Sequence, residues 1–362
     1  MITKLPYKIA CLLLAIPFLN FANNTPWNGK HTEEKVIKKE FKVNSKANLS
    51  VDNSYGNVDI VTWNENRIVF EITITTNGNN ADKVQNKLSN ITVEFEASPS
   101  QVSAKTLFEK NKSKWWDWNG ADNVNMKINY IVKIPITNSV NLSNDYGAIN
   151  VDRLEGQAKI SCDYGKITTK ELMADNNEIN FDYTKNSYFE YIKSGKINAD
   201  YSEFTVSKTK QLVIQADYTN SKVEVGENVS YNCDYGSMTI DKVNNFKGQG
   251  DYLTLVIGDV YKSVDINADY GSIKIKNMSA NAESINISSD YVGIKIGYDA
   301  NFHFNFELDL EYADLRDQDG FQFNIKRIES SDKYYKGYYG NANTTNSIRI
   351  SSDYGSVSFI KN

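Results

Sequence analysis

The sequence predicts an all-β fold, a β-solenoid whose parallel strands wind in coils of about 18 residues. Three observations predict it. The dipeptide Asp-Tyr occurs ten times, and nine copies follow one another at 17–21 residues. Apolar and polar residues alternate around each copy, which is typical of short strands. The repeats also run in tandem, so neighbouring coils should pair in parallel. The ten tyrosines are Tyr146, Tyr164, Tyr183, Tyr201, Tyr218, Tyr235, Tyr252, Tyr270, Tyr291 and Tyr354.

Each repeat reads as two short strands joined at a corner. An apolar residue stands four positions before most of the tyrosines and a small one two positions before, so this strand has one buried face. The favoured continuation is Gly-x-Ile-x-Ile, as in residues 271–275. The alternation of buried and exposed positions shifts by one residue across Asp-Tyr-Gly, so the chain turns a corner there. Asp and Gly suit an Asx-type turn, because Asp can accept a hydrogen bond from the backbone two residues on and Gly tolerates positive φ.

The repeat series extends beyond the ten Asp-Tyr copies. Tyr55 resembles an earlier copy, and Tyr312, after Glu311, continues the series at 21 residues. Tyr354 lies 42 residues further, which is two periods. The tyrosine-rich stretch 332–340 falls where a copy is missing, so we expect a loop that protrudes from an interrupted coil.

The segment before the repeats divides into three predicted parts. Residues 1–22 are typical of a secretory signal, because Lys4 and Lys8 precede an apolar run of about 13 residues that ends near Ala22. An uncleaved anchor is the alternative, although the run is too short to span a bilayer. Residues 23–35 form a polar, loose leader. Residues 36–137 are rich in strands, carry one short helix at 81–88, and are predicted to cap the repeat solenoid of residues 138–362.

Charge and cysteine usage exclude several classes of function. The chain has 40 Lys+Arg and 45 Asp+Glu residues, which argues against nucleic-acid binding. After the signal only Cys162 and Cys233 remain, at the same small inward position four coils apart. That separation is too great for a disulfide, so we expect two buried thiols. No segment after the signal is apolar enough to cross a membrane.

The usual constellations for catalysis are absent from the sequence. Its two histidines are His31 and His303, and no metal-ligand spacing and no Ser/His/Asp arrangement exists. We therefore predict no catalytic, cofactor-binding or metal-binding residues. A polysaccharide-active β-helix enzyme stays open as an alternative, since such enzymes use Asp, Lys and Arg on one exterior face.

Two columns of identical side chains have both a functional and a structural interpretation. The aspartates before the tyrosines should form a ladder that either binds divalent cations or caps the turns, and we favour the turns. The tyrosines either stack for stability or bind glycans or a partner, and we favour stacking. The aspartates are Asp145, Asp163, Asp182, Asp200, Asp217, Asp234, Asp251, Asp269 and Asp290.

A tryptophan cluster interrupts the repeat pattern. Trp115, Trp116 and Trp118 lie in a stretch flanked by lysines and ended by Gly120, so we expect a loop. Exposed tryptophans mark contact surfaces, which makes these three residues the predicted partner-binding site. The alternative is a loop folded over the end of the solenoid.

The repeat small-Asp-Tyr-Gly-x-Ile-x-Ile, with the signal and the tyrosine-glycine stretch before a final coil, resembles the bacterial putative adhesin family of β-strand-repeat proteins. It is similar to the head (GIN) domains of putative auto-transporter adhesins. The resemblance covers about residues 36–362. It implies a single-stranded parallel β-helix that is exported in Gram-negative bacteria, and it supplies no site residues.

The function predicted from these observations is that of an exported, non-enzymatic adhesin or cell-envelope interaction protein. Its partner would be a cell-surface glycan or an envelope protein. Its location would be the periplasm, the outer-membrane surface or the extracellular space. A structural envelope protein without a specific ligand is the alternative.

Overall fold

The computed structural model of the protein describes residues 27–109 and 124–362. Within these ranges, 24 strands join one hydrogen-bonded sheet that is mostly parallel, accompanied by a single helix. The all-β fold with parallel pairing is thus confirmed. The predicted signal at residues 1–22 and the tryptophans Trp115, Trp116 and Trp118 lie outside the described residues.

The first seven strands mix antiparallel and parallel pairing. They are β1 (His31–Lys42), β2 (Asn48–Ser54), β3 (Val58–Trp63), β4 (Arg67–Gly78), β5 (Ile91–Ser98), β6 (Gln101–Phe108) and β7 (Asn125–Pro135). β4 lies antiparallel to both β1 and β7, and β5 lies antiparallel to β6. β2 pairs in parallel with β6, and β3 with β7. Antiparallel pairing is therefore prominent in this part of the chain. The prediction of a loose leader at residues 23–35 is wrong from His31 onward, because β1 begins there and pairs with β4.

The helix predicted at residues 81–88 is confirmed as α1, Ala81–Ser89. The side chain of Asn80 caps it by accepting a hydrogen bond from the backbone N–H of Lys83 at 3.0 Å. Its apolar spacing buries Val84 and Leu88 against the sheet, while the other side faces solvent.

The central strands pair in parallel and in register, each with the strand about one period further on. They are β8 (Ser139–Asp145), β9 (Ala148–Val151), β10 (Ala158–Asp163), β11 (Lys166–Leu172), β12 (Asn177–Asp182), β13 (Ser187–Asp200), β14 (Glu203–Gln215), β15 (Asn220–Asn232), β16 (Ser237–Asp251), β17 (Thr254–Met278) and β18 (Ser284–Tyr298). Ile160 of β10, for example, pairs with Leu142 of β8 on one side and with Ile179 of β12 on the other. Equivalent positions of successive repeats therefore form straight columns.

The last six strands do not stack in chain order. They are β19 (Phe304–Glu311), β20 (Asp314–Arg316), β21 (Phe321–Glu329), β22 (Asp332–Tyr339), β23 (Ser347–Asp353) and β24 (Ser356–Lys361). The final repeat, β23 and β24, pairs with β18 on one side and with β19 and β20 on the other. The prediction of a loop at residues 332–340 is wrong for most of that stretch. That stretch forms β22, which lies antiparallel between β19 and β21 and covers the outer edge of β19.

A single apolar cluster runs through the described residues, from Val43 to Phe359. The positions predicted to point inward, such as Ile273, are buried. Cys162 and Cys233 are buried free thiols, as predicted. Burial raises the pKa of Cys162 to about 12 and that of Cys233 to about 11. Both thiols therefore act as small apolar side chains rather than as nucleophiles.

Candidate functional site, an exposed tyrosine ladder

The repeat tyrosines form one continuous stack on the surface, here called the tyrosine ladder. Neighbouring ring centroids lie 4.6–5.2 Å apart, and neighbouring ring planes differ by 1–9°. Each ring is 41–57% exposed. Eleven steps of about 5 Å give a ladder of about 55 Å. In spatial order the rings are Tyr55, Tyr146, Tyr164, Tyr183, Tyr201, Tyr218, Tyr235, Tyr252, Tyr270, Tyr291, Tyr354 and Tyr312.

The two ends of the tyrosine ladder differ. At the first end the edge of Phe108 meets the outer face of Tyr55, with centroids 6.0 Å apart and ring planes at 88°. At the other end Tyr312 stacks on Tyr354 and is the most exposed ring, at 57%. All ring faces between the ends are covered by neighbouring rings. The long surface of the ladder therefore offers ring edges and hydroxyl groups.

Each ladder tyrosine has a left-handed backbone conformation, with φ between 50° and 64°. The sequence suggested that the glycine of Asp-Tyr-Gly would have the positive φ. This prediction is wrong, because the tyrosine has it instead. The glycine is needed for space instead, because a Cβ on Gly165 would lie 2.0 Å from the backbone oxygen of Gly147. The left-handed region costs about 1–2 kcal/mol for a residue with a side chain.

The aspartates before the tyrosines join one repeat to the next. The carboxylate of Asp200 accepts a hydrogen bond from the backbone N–H of Asp217 at 3.1 Å, and five further pairs repeat this contact. The backbone N–H of Tyr201 in turn donates to the backbone oxygen of Asp217 at 3.0 Å. The predicted turn-capping role is therefore corrected. The acceptor serves the neighbouring repeat rather than its own turn.

The aspartates form an acidic flank along one side of the tyrosine ladder. Desolvation, followed by the charge of neighbouring aspartates, raises the pKa of Asp145, Asp251 and Asp353. No group of three or more His, Cys, Asp or Glu side chains suited to a metal ion occurs in the part of the chain that the structure describes. The ten aspartates at this position and Glu311 give this flank eleven negative charges.

The opposite flank of the ladder is polar and nearly neutral. It is formed by the residues two positions after each tyrosine, except after Tyr183, where the strand register places Asn186. Lys166 contributes one positive charge, and Glu203 and Asp314 contribute two negative ones. The other members are Asn57, Ala148, Asn220, Ser237, Thr254, Ser272, Gly293 and Ser356. The ladder thus separates a flank with eleven negative charges from one with a net charge of about −1.

The ladder hydroxyls make no hydrogen bond to another side chain or to the backbone among the residues that the structure describes. Within residues 27–109 and 124–362, the tyrosine hydroxyls with hydrogen bonds to protein belong to residues outside the ladder, Tyr130, Tyr231, Tyr334 and Tyr339. Desolvation, followed by the neighbouring tyrosines, raises the pKa of ladder members such as Tyr235 and Tyr270. These hydroxyls therefore stay protonated at neutral pH, and each can both donate and accept.

A shallow polar groove of about 380 Å³ lies on another face, near the last repeat. Glu307 and Asp309 of β19 face it together with Arg349 of β23. Tyr334 donates a hydrogen bond to Glu307 at 2.7 Å, and this bond is the main reason why the pKa of Glu307 is lowered. Lys336 adds an ion pair to the same carboxylate at 3.4 Å. Sequence reasoning missed this groove, because it depends on the insertion of the final repeat beside β19.

Comparisons with known proteins return structures only. No protein-family model matches the chain, and no curated protein does. A crystal structure from Parabacteroides merdae, described as a putative adhesin, has 10% identity and a TM-score of 0.36, and covers 90% of this chain and 96% of that one.

Two further crystal structures match over similar lengths. A putative cell adhesion protein from Clostridium sporogenes has 12% identity and a TM-score of 0.18, covering 91% of this chain and 100% of that one. A putative lipid binding protein from Parabacteroides distasonis has 11% identity and a TM-score of 0.31, covering 92% and 98%. The adhesin descriptions agree with the resemblance found in the sequence, but these scores are too low to transfer a function.

No helix among the residues that the structure describes has the length and apolarity of a membrane span. The helix α1 has nine residues, of which Val84 and Leu88 are buried against the sheet.

Proposed function

We propose that this protein is an exported, non-enzymatic contact protein of the cell envelope, and that the tyrosine ladder is its contact surface. The observation that carries the proposal is the exposure of twelve stacked tyrosines in a backbone conformation that disfavours them. Stacking contributes about 0.5–1.5 kcal/mol per pair, which is comparable to the left-handed cost of about 1–2 kcal/mol per residue. Glycine or asparagine would avoid that cost. Stability alone therefore gives little reason for tyrosine at these positions.

The ladder has the size of a recognition surface. Burying a tyrosine removes roughly 150–250 Å² from water, so twelve half-exposed rings offer roughly 900–1,500 Å². One partner in a stable protein interface contributes about 800 Å². The rings are held between neighbours before any partner arrives, so binding would cost little side-chain entropy. Large exposed aromatic surfaces of this kind are uncommon on proteins that act alone.

The proposed architecture supports this use. In it, residues 138–362 wind as a single-stranded parallel β-solenoid, and residues 36–137 cap its first end. The in-register parallel pairs and the straight columns of equivalent residues support this winding. A signal at residues 1–22 would deliver the protein to the envelope. The stretch with Trp115, Trp116 and Trp118, for which the sequence predicts a loop, is a second proposed contact surface.

A binding experiment tests the ladder. The protein is incubated with isolated cell envelopes, and the variant Tyr201→Asn/Tyr218→Asn/Tyr235→Asn/Tyr252→Asn is compared with wild type. Asparagine tolerates the left-handed region, so the fold should persist. We expect at least tenfold weaker retention. Replacement of Tyr188 and Tyr261, exposed tyrosines outside the ladder, by asparagine is the matched control and should leave retention unchanged. Equal retention of the ladder variant would refute the proposal.

A polysaccharide-active enzyme is the second candidate, and the groove near the last repeat is the observation that favours it. Glu307 and Asp309 lie two residues apart on one face of β19, which places their Cα atoms about 7 Å apart. Paired carboxylates hydrolyse glycosidic bonds when their carboxyl groups lie about 5–9.5 Å apart, but the acid of the pair needs a raised pKa. The pKa of Glu307 is lowered. Release of reducing ends from a polysaccharide, abolished by Glu307→Gln, would establish this candidate.

A further inference from the structure

We infer that the partner of the tyrosine ladder is a second copy of this chain, paired about a two-fold axis parallel to the ladder. This inference rests on the proposed function, since it names the occupant of the same surface. Three properties of the ladder carry it: its period, its hydroxyl chemistry and the unequal charge of its two flanks.

The period of the ladder matches a second ladder along its whole length. Successive rings are 4.6–5.2 Å apart and neighbouring ring planes differ by at most 9°, so the spacing is nearly constant along the whole ladder. A second copy has the same period and can stay in register through twelve contacts. An extended peptide laid along the ladder repeats at about 6.6–6.8 Å per two residues and loses register within a few rungs.

The hydroxyl groups make the ladder self-complementary. A tyrosine hydroxyl both donates and accepts, so two facing rows can satisfy each other without any other group. A row of carboxylates cannot do this, because it accepts only. The ring faces, whose negative quadrupole attracts polarised C–H groups, are covered by neighbouring rings except at Tyr312. Partners that bind aromatic rings face-on therefore find no place along the ladder.

The charge of the two flanks selects the direction of the symmetry axis. With a two-fold axis across the ladder, the acidic flank of one copy would face the acidic flank of the other, with eleven negative charges on each side. Facing like charges cost several kcal/mol. With an axis parallel to the ladder, each acidic flank faces the near-neutral flank that carries Lys166. The two chains then run in the same direction, and every tyrosine meets its own equivalent.

The pair is closed. An isologous two-fold interface uses the same surface on both copies, so pairing ends at the dimer rather than continuing to a fibre. Both first ends lie at the same end of the pair, as for two copies held on one envelope surface. The tyrosine ladder would then join neighbouring copies side by side and leave the other faces of the fold, including the groove at Arg349, open.

Sedimentation equilibrium of the whole exported chain at micromolar concentration tests the pairing. We expect twice the mass of one chain. The variant Tyr201→Asn/Tyr218→Asn/Tyr235→Asn/Tyr252→Asn should sediment as a monomer with an unchanged circular dichroism spectrum, while the control Tyr188→Asn/Tyr261→Asn stays dimeric. A monomeric wild type, or a dimeric ladder variant, overturns the inference.

Electron-spin distances test the direction of the axis. One nitroxide is attached at Lys166→Cys in one sample and at Thr254→Cys in another. Cys11→Ser removes the third native thiol, and Cys162 and Cys233 are buried, so each chain carries a single reactive cysteine. For an axis parallel to the ladder, the distances between equivalent labels in the two samples are nearly equal. For an axis across the ladder they differ by about 20 Å, four rungs of about 5 Å. The second result would overturn the inferred arrangement.

Envelopes from cells that lack the gene separate this inference from the proposed function. If the partner is a second copy, wild-type protein should not be retained on these envelopes. If wild-type protein is retained and the ladder variant is not, the ladder binds another envelope component. The proposed function then stands and the inference of a second copy fails.

Discussion

The ring of Tyr354 lies between those of Tyr291 and Tyr312, with centroids 4.7 Å from the first and 4.8 Å from the second. Chain order would place Tyr312 next to Tyr291. The final repeat instead enters between β18 and β19, and this exchange completes the tyrosine ladder. β23 and β24 therefore form an internal repeat of the sheet, while β19 to β22, which precede them in the chain, lie at its end.

Stacking within the tyrosine ladder should be measurable as a coupling energy. We expect a double-mutant cycle of Tyr218→Asn and Tyr235→Asn, whose rings are 5.1 Å apart, to give about 0.5–1.5 kcal/mol. Urea denaturation of the four proteins provides the free energies of unfolding. The pair Tyr218→Asn and Tyr270→Asn, which has two rings between its members, is the control and should be additive. Equal coupling in both cycles would contradict a stack of nearest neighbours.

The acidic flank should make stability depend on pH in an unusual direction. The pKa of Asp251 is raised in the folded protein, so this group favours folding when protonated and loses that contribution as pH rises through its folded pKa. Asparagine imitates the protonated side chain. We therefore expect Asp251→Asn to raise Tm at pH 7 and to have almost no effect near pH 3. A constant difference in Tm across this range would contradict a raised pKa of Asp251, whose causes are desolvation and then the charges of Asp234 and Asp269.

Calcium should have little effect on stability. One carboxylate oxygen of each aspartate such as Asp200 or Asp217 already accepts a backbone N–H at about 3 Å. A cation between rungs would compete with these bonds. We expect Tm to change by less than about 2 °C between millimolar calcium and excess chelator, because a ligand of the folded state raises Tm only when it binds tightly. A rise of many degrees with calcium would contradict this interpretation.

A charge in the core should be severely destabilising. Ile273 is 2% exposed and pairs with the buried Ile294 of β18, so Ile273→Asp would bury a carboxylate without a partner. We expect a loss of at least 4 kcal/mol in the free energy of unfolding, measured by urea denaturation. The neighbouring exposed residue supplies the control, since Lys274→Asp should cost less than about 1 kcal/mol. Similar midpoints for the two variants would refute the inward assignment.

The two cysteines should be inert in the folded protein. Burial raises the pKa of both thiols to values near 11 and 12, so almost no thiolate exists at pH 8. We expect Cys162 and Cys233 to react with a thiol reagent only after denaturation. Peptide mass spectrometry assigns the labels individually and keeps Cys11 apart. Rapid labelling of either residue in the native state would show that its repeat opens.

The sequence by itself determined the repeat, the parallel pairing and the inward positions. The reason is that each of these depends on local spacing: Ile160, Ile179 and Ile197 recur at one period, and the period fixes which residues pair. The helix at Ala81–Ser89 was predictable for the same reason, since Asn80 and the apolar spacing act within a few residues.

The tertiary structure alone decided which faces the tyrosines present, where their chain order breaks and what the aspartates bind. The left-handed conformation of Tyr201 and the contact between Asp200 and Asp217 depend on how the corners of neighbouring repeats fit together. The place of Tyr354 depends on β22, which covers β19 on one side and leaves its other side for the final repeat. These are contacts between distant segments, and no period in the sequence encodes them.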